Sequence, residues 1–211
     1  MNDMSHGVNR GQFLRNAGKG GIVLATSGGV VAAAQGVAFA SGPKKSDITT
    51  LQAAYTAESL AVIVYSAIIQ NFSKFSHPRL QNKDYFVAAL QNEKDHKAFL
   101  ASALGSKTPT GLRFKIPASV TKTGQSLLNT GVALETAFVE AYLGAVQTFS
   151  STDLKVVAAK VAANEATHFS FFDAAAGPGP KANLGGHGVL PSLPDTATIP
   201  ATVKKLKPFL G

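Results

Sequence analysis

Leu90-Gln91-Asn92-Glu93-Lys94-Asp95-His96-Lys97-Ala98-Phe99-Leu100 sets a carboxylate and an imidazole three positions apart, in a segment whose apolar residues recur every three or four positions. That recurrence is the period of an amphipathic helix, and on a helix positions i and i+3 share a face. Glu93 and His96 are therefore expected to converge on one point. The spacing returns in Glu165-Ala166-Thr167-His168. Between and before these two pairs stand Glu135 and Glu58, so the order along the chain is Glu, Glu-x-x-His, Glu, Glu-x-x-His.

Working outward, four helical segments can be drawn. The first, from about Asp47 to Asn71, stripes through Leu51, Ala54, Tyr55, Ala61, Val62, Tyr65, Ile68, Ile69 and Phe72. The second, from about Lys83 to Leu104, stops at Gly105, a residue suited to a helix C-terminus. The third runs from about Lys122 to Phe149, and Ser151 or Thr152 can cap a fourth that ends near Ala176. His77-Pro78 marks a short turn between the first two, whereas Ser106 to Thr121 holds Pro109, Gly111 and Pro117 and reads as a crossover. The predicted fold is all-α: two antiparallel helix hairpins joined by a long crossover, over residues 41–176. Gly and Pro dominate after Gly177, so residues 177–211 are expected to form an irregular tail over the bundle.

The chain has five Glu residues, and four of them, Glu58, Glu93, Glu135 and Glu165, fall inside the apolar stripes, one per helix. An isolated ionised carboxylate in a core is very costly, and no basic residue occupies those stripes at that level. A compensating cation or hydrogen-bond donor is needed. There is no Cys, which excludes thiolate sites, so the candidate metal ligands are Glu58, Glu93, His96, Glu135, Glu165 and His168. A Glu from each of two helices with Glu-x-x-His from each of the other two is the ligand set of di-iron and di-manganese carboxylate bundles.

The other polar residues have plainer readings. Glu140 lies off the stripe and reads as a solvated surface residue, and Asp95 points to another face, where a salt bridge or solvation is expected. His77 and His187 fall in Pro/Gly-rich loops. Tyr65 and Tyr142 each follow their own helix's Glu by seven positions, about two turns, and are expected to pack in the core with a phenol hydrogen bond.

Residues 1–40 read as a signal peptide: Arg10, Arg15 and Lys19 precede a weakly apolar stretch from Gly20 to Val37 that ends in Ala38-Phe39-Ala40. Asn9-Arg10-Gly11-Gln12-Phe13-Leu14-Arg15 resembles the twin-arginine export pattern, with Gly11 where the second Arg belongs. An exported protein, periplasmic or extracellular, is expected. Losing Arg10, Arg15 and Lys19 together with Asp3 lowers the net charge from +8 to +6. That basic balance comes without a dense Lys/Arg cluster, so nucleic acid is not an expected partner, and Lys204, Lys205 and Lys207 are too sparse for a membrane or nucleic-acid site. Hydrophobic residues make up 45% of the chain, yet no run approaches the roughly 20 residues of a bilayer span, so no transmembrane segment is expected in the mature chain.

From Asp47 to Ala176 the chain resembles the ferritin-like superfamily. Within it, Ala57-Glu58 through Tyr65 and Leu134-Glu135 through Ala141-Tyr142-Leu143-Gly144-Ala145 are similar to the exported ferritin-like family that includes desiccation-related proteins. The resemblance implies two bound metal ions, iron before manganese or zinc, with Glu93 and Glu165 bridging them. Glu58 and Glu135 would then be terminal, and His96 and His168 would take one ion each. It also implies oxygen or peroxide as a reaction partner, in a stress-protective oxidase- or peroxidase-type role. The alternatives are a structural, desiccation-protective bundle with a non-redox metal site and, ranked last, iron storage. No residue is assigned as catalytic, and the oligomeric state is left open.

Overall fold

Helices with one apolar stripe must cover it against one another, and the computed structural model, which describes residues 43–74, 83–177 and 195–209, does so in two hairpins. Helix α1, Lys45–Gln70, packs along α2, Lys83–Leu104, and α3, Gly124–Thr148, packs along α4, Thr152–Ala176. There is no strand among the described residues. The family of all-α bundles with a long crossover is therefore the observed one. The expected signal peptide, His77 and His187 lie outside the described residues.

Local chemistry sets the helix limits. Thr123 accepts from the Ser126 amide at 3.0 Å and starts α3, and Ser151 accepts from the Leu154 amide at 3.4 Å and starts α4. Gly105 and Gly177, both with positive φ, stand where α2 and α4 end. Asp47, in the first turn of α1, is buried. Its carboxylate accepts from the Ser150 amide at 2.9 Å and the Ser150 hydroxyl at 2.6 Å, pinning the α3–α4 turn to the start of α1.

The core runs through Leu60 and Val64 of α1, Phe86 of α2, Leu128 and Phe138 of α3 and Phe172 of α4. Val64, rather than Val62, takes the inward position on α1. Gly131 is needed on α3 because a Cβ there would sit 2.3 Å from the Phe172 ring.

The tail is more ordered than its composition signals. Asp195–Thr198 is irregular, but Thr198 then caps a short helix, α5, Ile199–Lys205, that packs against both α1 and α3 and buries Ile199 and Thr202. The Ala197 amide donates to the Glu140 carbonyl at 3.0 Å, and the Lys115 amide of the crossover donates to the Phe209 carbonyl at 2.8 Å. Gly144 admits this strap: a Cβ would lie 1.9 Å from the Ala197 oxygen. By length and composition α1 alone, among the described residues, is apolar enough to cross a membrane, with a mean hydropathy of 1.3, yet it carries Glu58 and half of that window is buried in the bundle.

Candidate metal centre

Each long helix delivers one carboxylate to the middle of the bundle. Glu58, Glu93, Glu135 and Glu165 are at most 2% exposed, a depth at which ionised groups need partners. His96 and His168 enter from α2 and α4 on the same faces as Glu93 and Glu165. All six residues singled out in the sequence come together, in two overlapping groups. Glu58, Glu93, His96 and Glu165 form one; Glu93, Glu135, Glu165 and His168 form the other; in each group the donor atoms lie within 4.8 Å of one another. Glu93 and Glu165 belong to both. Asp95 belongs to neither: instead of a salt bridge or water, its buried carboxylate accepts from Gln91 Nε2 at 2.9 Å. Glu140 is partly exposed and pairs with Lys205 at 3.7 Å.

The imidazoles face the carboxylates through Nδ1. His96 Nδ1 lies 3.0 Å from Glu165 and 3.6 Å from Glu58, and His168 Nδ1 lies 2.9 Å from Glu93 and 3.0 Å from Glu165. Several of these approaches lack hydrogen-bond alignment. His96 Nδ1, both oxygens of Glu93, and one oxygen each of Glu58, Glu135 and Glu165 are buried without a hydrogen-bond partner. Buried polar atoms are rarely left so, and these six belong to the two overlapping groups, whereas the other such atoms among the described residues, Asp95 Oδ2, Asn164 Oδ1 and Thr202 Oγ1, lie outside them. Four carboxylates and two imidazole nitrogens fit two divalent cations in charge and in donor type. On those two observations the residues present fit a dinuclear metal centre.

The tyrosines connect the halves crosswise. Tyr65 of α1 donates to Glu135 Oε1 of α3 at 2.6 Å, and Tyr142 of α3 donates to Glu58 Oε1 of α1. The sequence placed each tyrosine two turns from its own helix's Glu; its partner is the Glu of the opposite helix. In both cases Oε1 is held and Oε2 is left toward the cluster. Asn92, which the sequence reading passed over, meets His168 Nε2 at 3.3 Å. The signal for it was present, because Asn precedes Glu in both repeats, Asn92-Glu93 and Asn164-Glu165.

Proton affinities reflect the crowding. Burial pushes the Glu58 carboxyl up to about 7, with His96 opposing and Glu93 adding to the rise. Burial, then Glu165 and Glu93, lifts Glu135 well above the usual carboxylate range. Burial works against charge on His168, but the close carboxylates of Glu165, to which it is hydrogen-bonded, and of Glu93 and Glu135 outweigh that and raise it to about 10. His96 is raised in the same way by Glu58 and Glu165 against its own desolvation. For Glu165 burial is overcome by His96 and His168, and its carboxyl falls below the ordinary value. Without metal, then, protons on the imidazoles do the neutralising that cations would do.

The two ligand positions have different surroundings. His168 packs edge-on against Tyr65 and Tyr85, at 5.7 and 6.5 Å between ring centres, in a group completed by Phe86, Phe171 and Phe172. His96 instead borders an apolar pocket at the α3–α4 turn.

A comparison with curated proteins finds no match. The family model of the ferritin-like domain matches residues 46–178, more than half of the chain, from the first turn of α1 to just past the end of α4. On that match, and with a four-helix bundle whose centre gathers carboxylates and imidazoles, the chain belongs to the ferritin-like domain family.

Proposed function

We propose that this protein is exported and holds two metal ions, iron in its native compartment, at a centre that reacts with a small oxidant in stress protection, as the desiccation-related resemblance implies. The observation that carries the reading is the set of orphaned oxygens on Glu58, Glu93, Glu135 and Glu165 with His96 and His168 among them. Glu93 and Glu165, common to both groups, would be shared by the two ions; Glu58 with His96 and Glu135 with His168 would complete one ion each. Bound iron would supply one-electron redox chemistry and a Lewis-acid site.

The chain's own residues do the rest. Tyr142 and Tyr65 fix the outer oxygens of Glu58 and Glu135, so that one oxygen of each is presented inward. Asn92 at Nε2 of His168 leaves Nδ1 to face the carboxylates. Phe86 and Phe172 pack against Tyr65, which donates to Glu135, and cover that side of the cluster. Cation binding requires the protons on His96, His168 and Glu58 to leave, so loading must release acid.

Iron storage is disfavoured by charge, since mineral growth needs further carboxylates and Glu140 is the one Glu left outside the cluster. The test is an anaerobic Fe(II) titration followed by dioxygen or hydrogen peroxide, with elemental analysis of protein purified from its own compartment. Oxidation saturating near two irons per chain is expected. Uptake of hundreds of irons would favour storage, and stoichiometric zinc without oxidation would leave a structural brace.

A further inference from the structure

Asparagine stands immediately before the glutamate in both repeats, Asn92-Glu93-x-x-His96 and Asn164-Glu165-x-x-His168. The two are joined reciprocally across α2 and α4: His168 Nδ1 lies 2.9 Å from Glu93, and His96 Nδ1 lies 3.0 Å from Glu165. Each imidazole thus crosses to the glutamate of the other helix. The residue before that glutamate is carried toward the imidazole's far nitrogen, and on one side the contact is made, between Asn92 Nδ2 and His168 Nε2 at 3.3 Å. On the other side it is not: Asn164 Oδ1 is buried without a hydrogen-bond partner. His168, one turn further along α4, has no need of that oxygen, since Glu165 meets its Nδ1 at 3.0 Å and Asn92 meets its Nε2. By the reciprocal relation, the ring that Asn164 serves is His96 of α2.

A cation on Nδ1 changes what the far nitrogen requires. A neutral imidazole that gives Nδ1 to a cation keeps its proton on Nε2, which must then donate. An amide oxygen can accept there without adding charge to a core that already holds four carboxylates. We infer that Asn164 is the positioning residue of His96: its Oδ1 accepts from the His96 Nε2–H when Nδ1 holds a divalent cation, and so fixes the ring and its tautomer on that side. For Asn92 the same demand means turning the amide so that Oδ1, rather than Nδ2, meets His168 Nε2. The inference rests on the proposed metal centre, for any divalent ion, and not on its redox use.

The test uses the full chain loaded with zinc and carrying isotope-labelled histidine. Long-range proton–nitrogen correlation should place the His96 proton on Nε2 and show it exchanging slowly with water, although the His96 side chain is 13% exposed and that of His168 is 2% exposed. A freely exchanging His96 Nε2 proton in the wild-type chain overturns the inference. Asn164→Leu, close in size but without an acceptor, should speed that exchange several-fold, leave the His168 proton as it was, and weaken one of the two expected zinc ions by roughly 10- to 100-fold. Asn164→Asp, which restores an acceptor, should restore the slow exchange. Equal losses in the two variants would mean that Asn164 only fills space, and no loss in either would mean that another group holds His96; both results overturn the inference. Should Asn164→Leu fail to fold, Asn164→Ala also removes the acceptor and carries the same expectations. A chain that takes up no zinc, cobalt or manganese sinks the metal reading and the inference together, whereas zinc bound with indifference to Asn164 sinks the inference alone.

Discussion

The half of the centre around His96 and the half around His168 are built from the same sequence pattern, yet they meet the rest of the molecule differently. Each has a Glu from α1 or α3, a Glu-x-x-His pair from α2 or α4, and a tyrosine donated by the opposite helix. One half is closed by stacked and edge-on rings, with Tyr85 and Phe171 lying 3.6 Å apart face to face; the other borders aliphatic side chains and a cavity. Ligand geometry follows from helix periodicity, which the repeat preserves. Access follows from the residues between the ligands, which it does not. A dinuclear centre of equal ligands can thus be unequal in reactivity.

The strongest way to break that comparison is to remove carboxylates that belong to both halves or to one. Glu93→Ala and Glu165→Ala should lower bound metal from about two ions per chain to none and abolish Fe(II) oxidation, since each strips a donor from both groups. Glu58→Ala and Glu135→Ala should each leave one ion, near His168 and near His96 respectively. Cobalt or manganese stoichiometry by elemental analysis decides it. Equal losses for all four variants would mean that the halves do not bind independently.

Next in size is the pH dependence of the metal-free protein. Glu58, raised to about 7, binds its proton more tightly folded than unfolded, so its contribution to stability is present below about 4.5 and is lost as pH rises through 7. His168, raised to about 10, contributes fully below about 6.5 and loses that contribution as pH rises through 10. Thermal melts of metal-free protein should therefore fall from pH 5 to pH 9, while metal affinity rises over the same range as protons cease to compete. Metal-loaded protein should show little of this decline. A metal-free melting temperature that climbed from pH 5 to pH 9 would contradict the proton inventory of the cluster.

A finer probe is the crossed tyrosine pair. Tyr142→Phe leaves Glu58 without its donor and should weaken the ion on the His96 side; Tyr65→Phe should weaken the ion on the His168 side through Glu135. A hydrogen bond to a charged group is worth about 1.5–3 kcal/mol, which is a loss of affinity of roughly 10- to 150-fold at the affected side. Two-phase cobalt titrations separate the sides, and an identical change at both would argue that the pairing is not specific.

How far the sequence could be read depends on the range of the interaction concerned. The limits of α2 and α4 and the inward positions of all six cluster residues were legible, because caps, positive-φ glycines and i, i+3 spacing are properties of neighbouring residues. The partner of Tyr65 lies 70 residues away and that of Tyr142 lies 84 residues away. Which helices stand opposite each other cannot be read from either stripe. Asp95 is instructive in the same way: helical spacing turned it from the cluster correctly, but burial under neighbouring side chains and its bond to Gln91 came with packing. Helix α5 was missed because its seven residues are too few for a period to register, and tertiary contact with α1 and α3 stabilises it.

The smallest effect should come from Glu140, five residues beyond Glu135 on the same helix. Glu135 is 2% exposed, has both oxygens inside the bundle and belongs to a donor group; the Glu140 side chain is 20% exposed and faces Lys205, itself 62% exposed, at 3.7 Å. Such a pair gains little in water and is screened by salt, so Glu140→Ala should change stability by no more than about 0.5 kcal/mol. The Glu140 carbonyl that receives the Ala197 amide is untouched by the substitution, so the strap over Gly144 should stay docked. Melting should shift by at most about 2 °C, less still at high salt, with metal stoichiometry unchanged. If Glu140→Ala instead cost an ion, the centre would extend beyond the six residues, and the electrostatic case against storage would weaken with it.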